Sequence, residues 1–73
     1  MRKRLTAIIQ PEDDGFDVFC PELDIASQGN TIEEARANLL QALELFLETA
    51  SPEEVKERLR EEVYVTRVEV PVG

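Results

Sequence analysis

The sequence has no histidine and a single cysteine, Cys20, among its 73 residues. One cysteine excludes an intramolecular disulfide, and without histidine the usual transition-metal ligand sets cannot be assembled. A chain this short builds one core, which is only marginally stable without a disulfide, a metal or self-association. We therefore expect a single domain over residues 1–73, with no cofactor and no metal, that gains stability by forming a homo-oligomer.

Long hydrophobic runs and positive charge are also scarce. No apolar run approaches the roughly 20 residues of a membrane span, and the N-terminus turns acidic before a signal-peptide core forms. We expect a cytoplasmic protein without membrane contact. Eight lysines and arginines against sixteen acidic residues give a net charge of −8, which repels a phosphate backbone. We therefore expect no direct nucleic-acid binding and favour a basic protein partner.

The acidic residues are clustered in one part of the chain. Residues 11–24 contain no lysine or arginine. The acidic residues of this stretch are Glu12, Asp13, Asp14, Asp17, Glu22 and Asp24. Both a solvated surface that aids solubility and a docking surface for a basic partner fit such a cluster.

The longest periodic stretch, residues 29–50, predicts the main helix. Thr31 is placed to cap the first turn, and Glu34 to reach back to the amide of Thr31, so the helix should begin near Ile32. Apolar residues then recur at helical spacing: Ile32, Ala35, Leu39, Leu43, Phe46 and Ala50, widened by Leu40 and Leu47. So broad an apolar face indicates a helix lying on a sheet.

The rest of the chain supplies candidate strands at 5–9, 16–20 and 25–28, and a last, valine-rich one at 63–70. Residues 11–15, PEDDG, predict a hairpin connection in which Gly15 is free to take positive φ. A second, peripheral helix should run from the cap residue Ser51 to about Arg60. We expect an α+β fold, with an antiparallel sheet of about four strands in the order β-β-β-α-α-β and the long helix on one face.

Two further expectations concern surfaces. Ile8 and Phe19 should point away from the helix and leave apolar area exposed, which indicates a contact in a homodimer or homotetramer. On the second helix, Glu54 with Arg58 and Glu57 with Arg60 are spaced to form ion pairs.

No catalytic constellation is evident. A metal-dependent nuclease of the ribonuclease H type needs an acidic residue in the middle of its first strand, and residues 5–9 contain none. Gly15 comes third, not sixth, after Asp13, so the turn does not fit a calcium loop. Cys20 has no histidine to deprotonate it and lies among acidic residues, so it is expected to be a small core residue. We expect a non-enzymatic protein.

The order of these pieces resembles a known family. Residues 5–50 contain, in this order, a strand, a DDG turn, an aromatic strand, a PEL loop, SQGNTIEEARAN and ALELFLE. Together they resemble the N-terminal domain of the HicB antitoxins of bacterial and archaeal toxin-antitoxin pairs. The most specific positions are Gly29, Thr31, Glu33, Glu34, Ala35 and Asn38, where a tight turn, a helix cap and a helix register coincide.

The resemblance implies a degenerate ribonuclease H-like fold and a role in masking a small basic RNA-cleaving toxin of the HicA kind. The chain departs from the family pattern after Leu23, where Asp24, Ile25 and Ala26 replace the usual proline, glycine and cysteine. Many relatives carry a DNA-binding segment after this domain, whereas residues 63–73 predict a strand, so we do not expect autorepression of an operon. A stand-alone oligomeric module that binds another protein or a small ligand is the alternative.

Overall fold

The computed structural model describes residues 3–60 and 62–73 and has an α+β fold, as the sequence predicts. Its elements are β1 (Ile8–Glu12), β2 (Gly15–Cys20), β3 (Ile25–Gly29), α1 (Ile32–Thr49) and α2 (Pro52–Arg58). The three strands form one antiparallel sheet in the order β1-β2-β3. The helix α1 lies across one face of that sheet, mainly over β3 and β2.

The predicted fourth strand at residues 63–70 is not formed, so the sheet has fewer strands than we expected. Every residue from 62 to 73 is exposed, and Val72 retains 92% of its surface. A run of β-branched residues favours a pleated, half-buried surface and does not by itself create a strand. Among residues 3–60 and 62–73, no strand lies beside this segment to pair with its backbone.

The first hairpin also differs from the prediction. The strand β1 begins at Ile8 rather than Leu5 and continues through Pro11 to Glu12, so only Asp13 and Asp14 form the turn. Pro11 is tolerated because β1 is an edge strand, where a missing N–H costs no ladder hydrogen bond. Gly15 does not take positive φ; a Cβ there would lie 2.5 Å from the carbonyl oxygen of Gly29. Glycine is required at position 15 because β2 and β3 approach closely there.

The core lies between α1 and one face of the sheet. Its buried residues are Val18, Cys20, Leu23, Ala35, Leu39 and Leu43. Gly29 permits the tightest contact, because a Cβ at this position would lie 2.8 Å from the Cα of Ala35. Part of the predicted apolar stripe stays uncovered, since Ile32, Leu40 and Leu47 are 49%, 52% and 42% exposed. Three strands are too narrow to cover the whole stripe.

Both helices begin at the predicted capping residues. The hydroxyl of Thr31 accepts a hydrogen bond from the Glu34 amide at 3.0 Å, and that of Ser51 accepts one from the Glu54 amide at 3.1 Å. The carboxylate of Glu34 accepts from the amide of Asn30 at 3.0 Å, not from that of Thr31 as predicted. Each cap satisfies an N–H group that the first turn leaves without a helical partner.

The helix α2 has no buried residue and is held by Arg58. Its Nη1 donates to the carbonyl oxygen of Leu23 at 2.5 Å, and its guanidinium lies 5.1 Å from the ring centroid of Phe46. The predicted pair of Glu54 with Arg58 is therefore wrong, because Arg58 turns towards the core loop. The pair of Glu57 with Arg60 is formed at 3.3 Å.

Replacing Leu39, which is 2% exposed, by alanine should lower the free energy of unfolding by about 2–5 kcal/mol, since it leaves a cavity under α1. The matched control is Leu45→Ala on the same helix, where the side chain is 61% exposed and the change should stay within about 0.5 kcal/mol. Urea unfolding followed by circular dichroism measures both. Equal losses would contradict the placement of α1.

Candidate binding surfaces

Four of the six acidic residues predicted to bind a partner lie at one end of the sheet. Glu12 is the last residue of β1, Asp13 and Asp14 form the β1–β2 turn, and Asp17 follows on β2. The first turn of α1 brings Glu34 to the same end. Except for Asp13, these residues line an open depression of about 560 Å³ together with Asn38. The five acidic residues Glu12, Asp13, Asp14, Asp17 and Glu34 are referred to below as the acidic end.

Hydrogen bonds between β3, the following turn and α1 fix the wall of this depression. The side-chain amide of Asn38 donates to the carbonyl oxygen of Gln28 at 2.8 Å. One oxygen of Glu34 accepts from the amide of Asn30. Neither Glu34 nor Asn38 was predicted to be a partner-binding residue. Two signals in the sequence place Glu34 and Asn38 on the same side of the start of α1. They are the capping box and the four-residue spacing between these two residues.

The other two predicted residues, Glu22 and Asp24, lie at the opposite end of the sheet. They follow Cys20, the last residue of β2, whereas the acidic end surrounds Gly15, its first. Five residue steps along a strand span roughly 17 Å. The six acidic residues therefore do not form one continuous surface, although they are close in sequence.

Glu22 is held by hydrogen bonds within the domain. Its carboxylate accepts from the amide of Thr6 at 3.0 Å, from the hydroxyl of Thr6 at 2.6 Å and from the thiol of Cys20 at 3.4 Å. Burial acts to raise the pKa of Glu22, but the bonds from Thr6 outweigh it and the pKa is lowered. Glu22 therefore anchors the chain before β1, an arrangement that explains its place better than contact with a partner.

Cys20 is a core residue, as predicted. It is free and fully buried, and burial, together with the neighbouring Glu22, raises the pKa of its thiol. A raised pKa keeps the sulfur protonated, which is the opposite of what a nucleophilic cysteine needs.

The loop between β2 and β3 contains Asp24 in the left-handed region, with φ of 56°. Aspartate tolerates this conformation better than most residues. Leu23 beside it is fully buried, and its carbonyl oxygen accepts from Arg58. The loop that departs from the family pattern is thus fixed by a core side chain and a hydrogen bond.

The predicted oligomer contact lies on the sheet face opposite α1. Ile8 is directly opposite Phe19 on the neighbouring strand, and Phe19 is opposite Ala26. Phe19 is 38% exposed, and the three residues line a shallow depression of about 610 Å³. Asp17 and Gln28 flank it, so this apolar area adjoins the acidic end.

Within residues 3–60 and 62–73, no three histidine, cysteine, aspartate or glutamate side chains are grouped so that they could hold a metal ion. None of the helices in this part of the chain is both long enough and apolar enough to cross a membrane.

Stability at low pH should depend on Glu22. Because its pKa is lowered on folding, its contribution is complete above the ordinary glutamate value, about 4.3, and is lost as the pH falls through the lowered value. Glu22→Gln should reduce stability at neutral pH, since the amide cannot accept from all of these donors, and should flatten the acid dependence. Urea unfolding over a pH series tests this, with Glu48→Gln on the exposed side of α1 as control. Equal pH dependence in Glu22→Gln and the native chain would contradict the role of Glu22.

The chain has relatives among known proteins. No protein-family model matches it, and no solved structure does. It is 40% identical over 73 residues to the UPF0150 protein ssl0738 of Synechocystis sp., which covers 97% of this chain and 100% of that protein. It is also 44% identical over 46 residues to the UPF0150 protein ssr1765 of the same organism, covering 60% of this chain and 58% of that one. The chain therefore belongs to the UPF0150 family.

Proposed function

We propose that this protein is a non-enzymatic, cytoplasmic antitoxin-like module that binds and masks a small basic RNA-cleaving toxin of the HicA kind. The observation that carries the proposal is the acidic end, where four of the five carboxylates line one open depression. The resemblance to HicB antitoxins implies a basic partner, whose charge is opposite to that of the acidic end. It spans residues 5–50, the part of the chain that contains β1, β2, β3 and α1.

The charged side chains that line the depression at the acidic end are all acidic. The residues that line its depression include no lysine or arginine, so its negative potential is not neutralised locally. Such a potential attracts a basic protein from a distance and speeds encounter. A toxin that binds RNA presents its basic face to phosphates, and an acidic protein seated on that face would exclude the RNA.

The degenerate ribonuclease H-like fold is part of the same proposal. Three antiparallel strands followed by a helix are compatible with the first half of such a fold. A nuclease of that type needs a carboxylate in the middle of its first strand to hold metal ions. The middle residue of β1 is Gln10, and its one acidic residue, Glu12, lies at the last position. This supports binding rather than cleavage as the function.

The alternative, a stand-alone oligomeric module without a toxin partner, is favoured by a different observation. Ile8, Phe19 and Ala26 form a partly exposed apolar area on the outer face of the sheet. Burying it between copies would remove this area from water. Self-association through this area is also compatible with toxin binding, since the apolar area and the acidic end meet only at their border, along Asp17, Ser27 and Gln28.

Reversing the charge of Asp13, Asp14 and Asp17 to lysine should weaken toxin masking, because it removes the attraction at the acidic end. The assay measures how much RNA survives when a lysine-rich toxin encoded beside this gene is mixed with each variant. Association with the toxin should slow by roughly tenfold or more, with a smaller difference at high salt.

The matched control replaces Glu44, Glu48 and Glu53 by lysine. These residues are exposed on α1 and α2, and the three substitutions change the net charge by the same amount. The control should protect RNA as the native chain does. Full protection by the acidic-end variant, or equal losses in both, would contradict masking through the acidic end.

Replacing Phe19 by glutamate should reduce self-association through the outer sheet face, because it places a charge in the apolar area. Sedimentation velocity over a concentration series measures the mass. The control is Leu45→Glu, which adds the same charge at an exposed position of α1. If Phe19→Glu assembles as the native chain does, Ile8 and Phe19 are not the contact.

A further inference from the structure

The segment 62–73 carries a strand-like pattern but has no partner strand in the part of the chain that the structure describes. Two sets of side chains alternate along it: Tyr64, Thr66, Val68, Val70 and Val72 on one side, and Val63, Val65, Arg67, Glu69 and Pro71 on the other. All are exposed. Within residues 3–60 and 62–73, no acidic group lies within salt-bridge distance of Arg67. Among the described residues, no strand pairs with the segment and no carboxylate pairs with Arg67.

The segment extends away from the folded body. The radius of gyration is 14.3 Å, whereas a compact chain of this length has about 11 Å. The start of the segment stays near the body, because Val63 and Tyr64 line a small cavity with Leu5 and Leu59. Beyond this point the segment is available to another molecule.

We propose that the segment pairs antiparallel with the same segment of a second copy, with Val68 on the two-fold axis. In this register Arg67 lies opposite Glu69 of the second copy, and Glu69 opposite its Arg67. Cross-strand pairs of opposite charge stabilise a sheet, whereas like charges directly opposite destabilise it. Thr66 and Val70 then face each other across the strands, so the more apolar side of each segment is continuous with that of the other.

The neighbouring registers are less favourable. Centring the pair on Arg67 or on Glu69 places two like charges directly opposite each other. Centring it between two residues matches the charged side of one segment with the apolar side of the other. Centring it on Thr66 leaves Arg67 opposite Val65. The sequence of the segment thus favours one self-complementary register, which is the reason to assign a second copy as the partner.

The position of Pro71 fits the same register. In an antiparallel pair, residues that exchange both backbone hydrogen bonds alternate with residues that exchange none. If Val68 belongs to the first kind, so do Thr66 and Val70, while Arg67, Glu69 and Pro71 belong to the second. Pro71, which has no N–H, then falls where none is needed. Arg67 and Glu69 fall in the pairs with the closer side chains.

The paired segments keep the two bodies apart. Residue 62 of one copy and residue 62 of the other would be separated by twelve residue steps, or roughly 40 Å. Two strands without a covering layer are only marginally stable. We therefore expect a dimer that dissociates on dilution. The inference does not depend on toxin binding.

A charge-exchange series tests the ion pairs. Arg67→Glu alone and Glu69→Arg alone each place like charges opposite each other twice per dimer, and should raise the dissociation constant by about tenfold or more. The double exchange restores both pairs and should return it close to the native value. Arg36→Glu on α1, which changes the net charge as Arg67→Glu does, should have a far smaller effect. Sedimentation equilibrium gives the constants, and circular dichroism confirms that each variant folds.

A cysteine pair tests the register. Residues on the axis have Cα atoms about 5.5 Å apart, within the range of a disulfide, so Val68→Cys should form a covalent dimer on mild oxidation. Val70→Cys is the control, because the two residues 70 would be more than about 10 Å apart. Cys20 is buried and common to both. A native chain that stays monomeric at every concentration, a double exchange that fails to restore association, or equal cross-linking of both cysteine variants would overturn the proposal.

Discussion

The close contact between β3 and α1 is the constraint on which the rest of the structure depends. A side chain at Gly29 would collide with the backbone of Ala35, so the helix can begin directly after the strand and lie flat on the sheet. The cap at Thr31 then fixes where the first turn starts. As a result, the start of α1 and the β1–β2 turn share one end of the domain, and Glu34 joins the acidic residues of the turn.

The width of the sheet determines which apolar residues remain exposed. The apolar stripe of α1 is wider than the part of a three-stranded sheet beneath it, so Leu40 and Leu47 face solvent. On the other face, none of the elements that the structure describes covers Ile8 and Phe19. A chain of 73 residues can bury only a limited apolar area by itself. The valine-rich segment 62–73 likewise pairs with no strand that the structure describes.

Local chemistry made the helices predictable from the sequence. Capping residues and helical spacing gave the start of α1 and of α2, because both act over a few residues. The strands β2 and β3 were predicted to within a residue for the same reason. The limits of β1 were not, because an edge strand tolerates Pro11 and the proline was interpreted as part of the turn. The fourth strand was predicted from β-branched residues, which favour an extended backbone. A strand also needs a neighbouring strand to pair with, and residue type does not reveal whether one is present.

The composition of the acidic end was only partly predictable, because residues that are close in sequence need not be close in space. Glu22 and Asp24 are within ten residues of Asp14, yet β2 carries the chain to the other end of the sheet before them. The lowered pKa of Glu22 reflects hydrogen bonds from Thr6, a long-range contact that no local pattern signals. Conversely, Glu34 lies far along the chain and joins the acidic end through the turn at Asn30.

The two proposed surfaces are compatible because of where the charges lie. Each copy has a net charge of −8, so two copies repel most strongly if their acidic ends meet. The segment 62–73 leaves the body beside Leu5 and Glu22, at the end of the sheet away from the acidic end. Pairing there keeps the densest negative charge of the two copies well beyond a Debye length of about 8 Å. It also leaves both acidic ends free, so that a dimer would present two binding surfaces to basic partners.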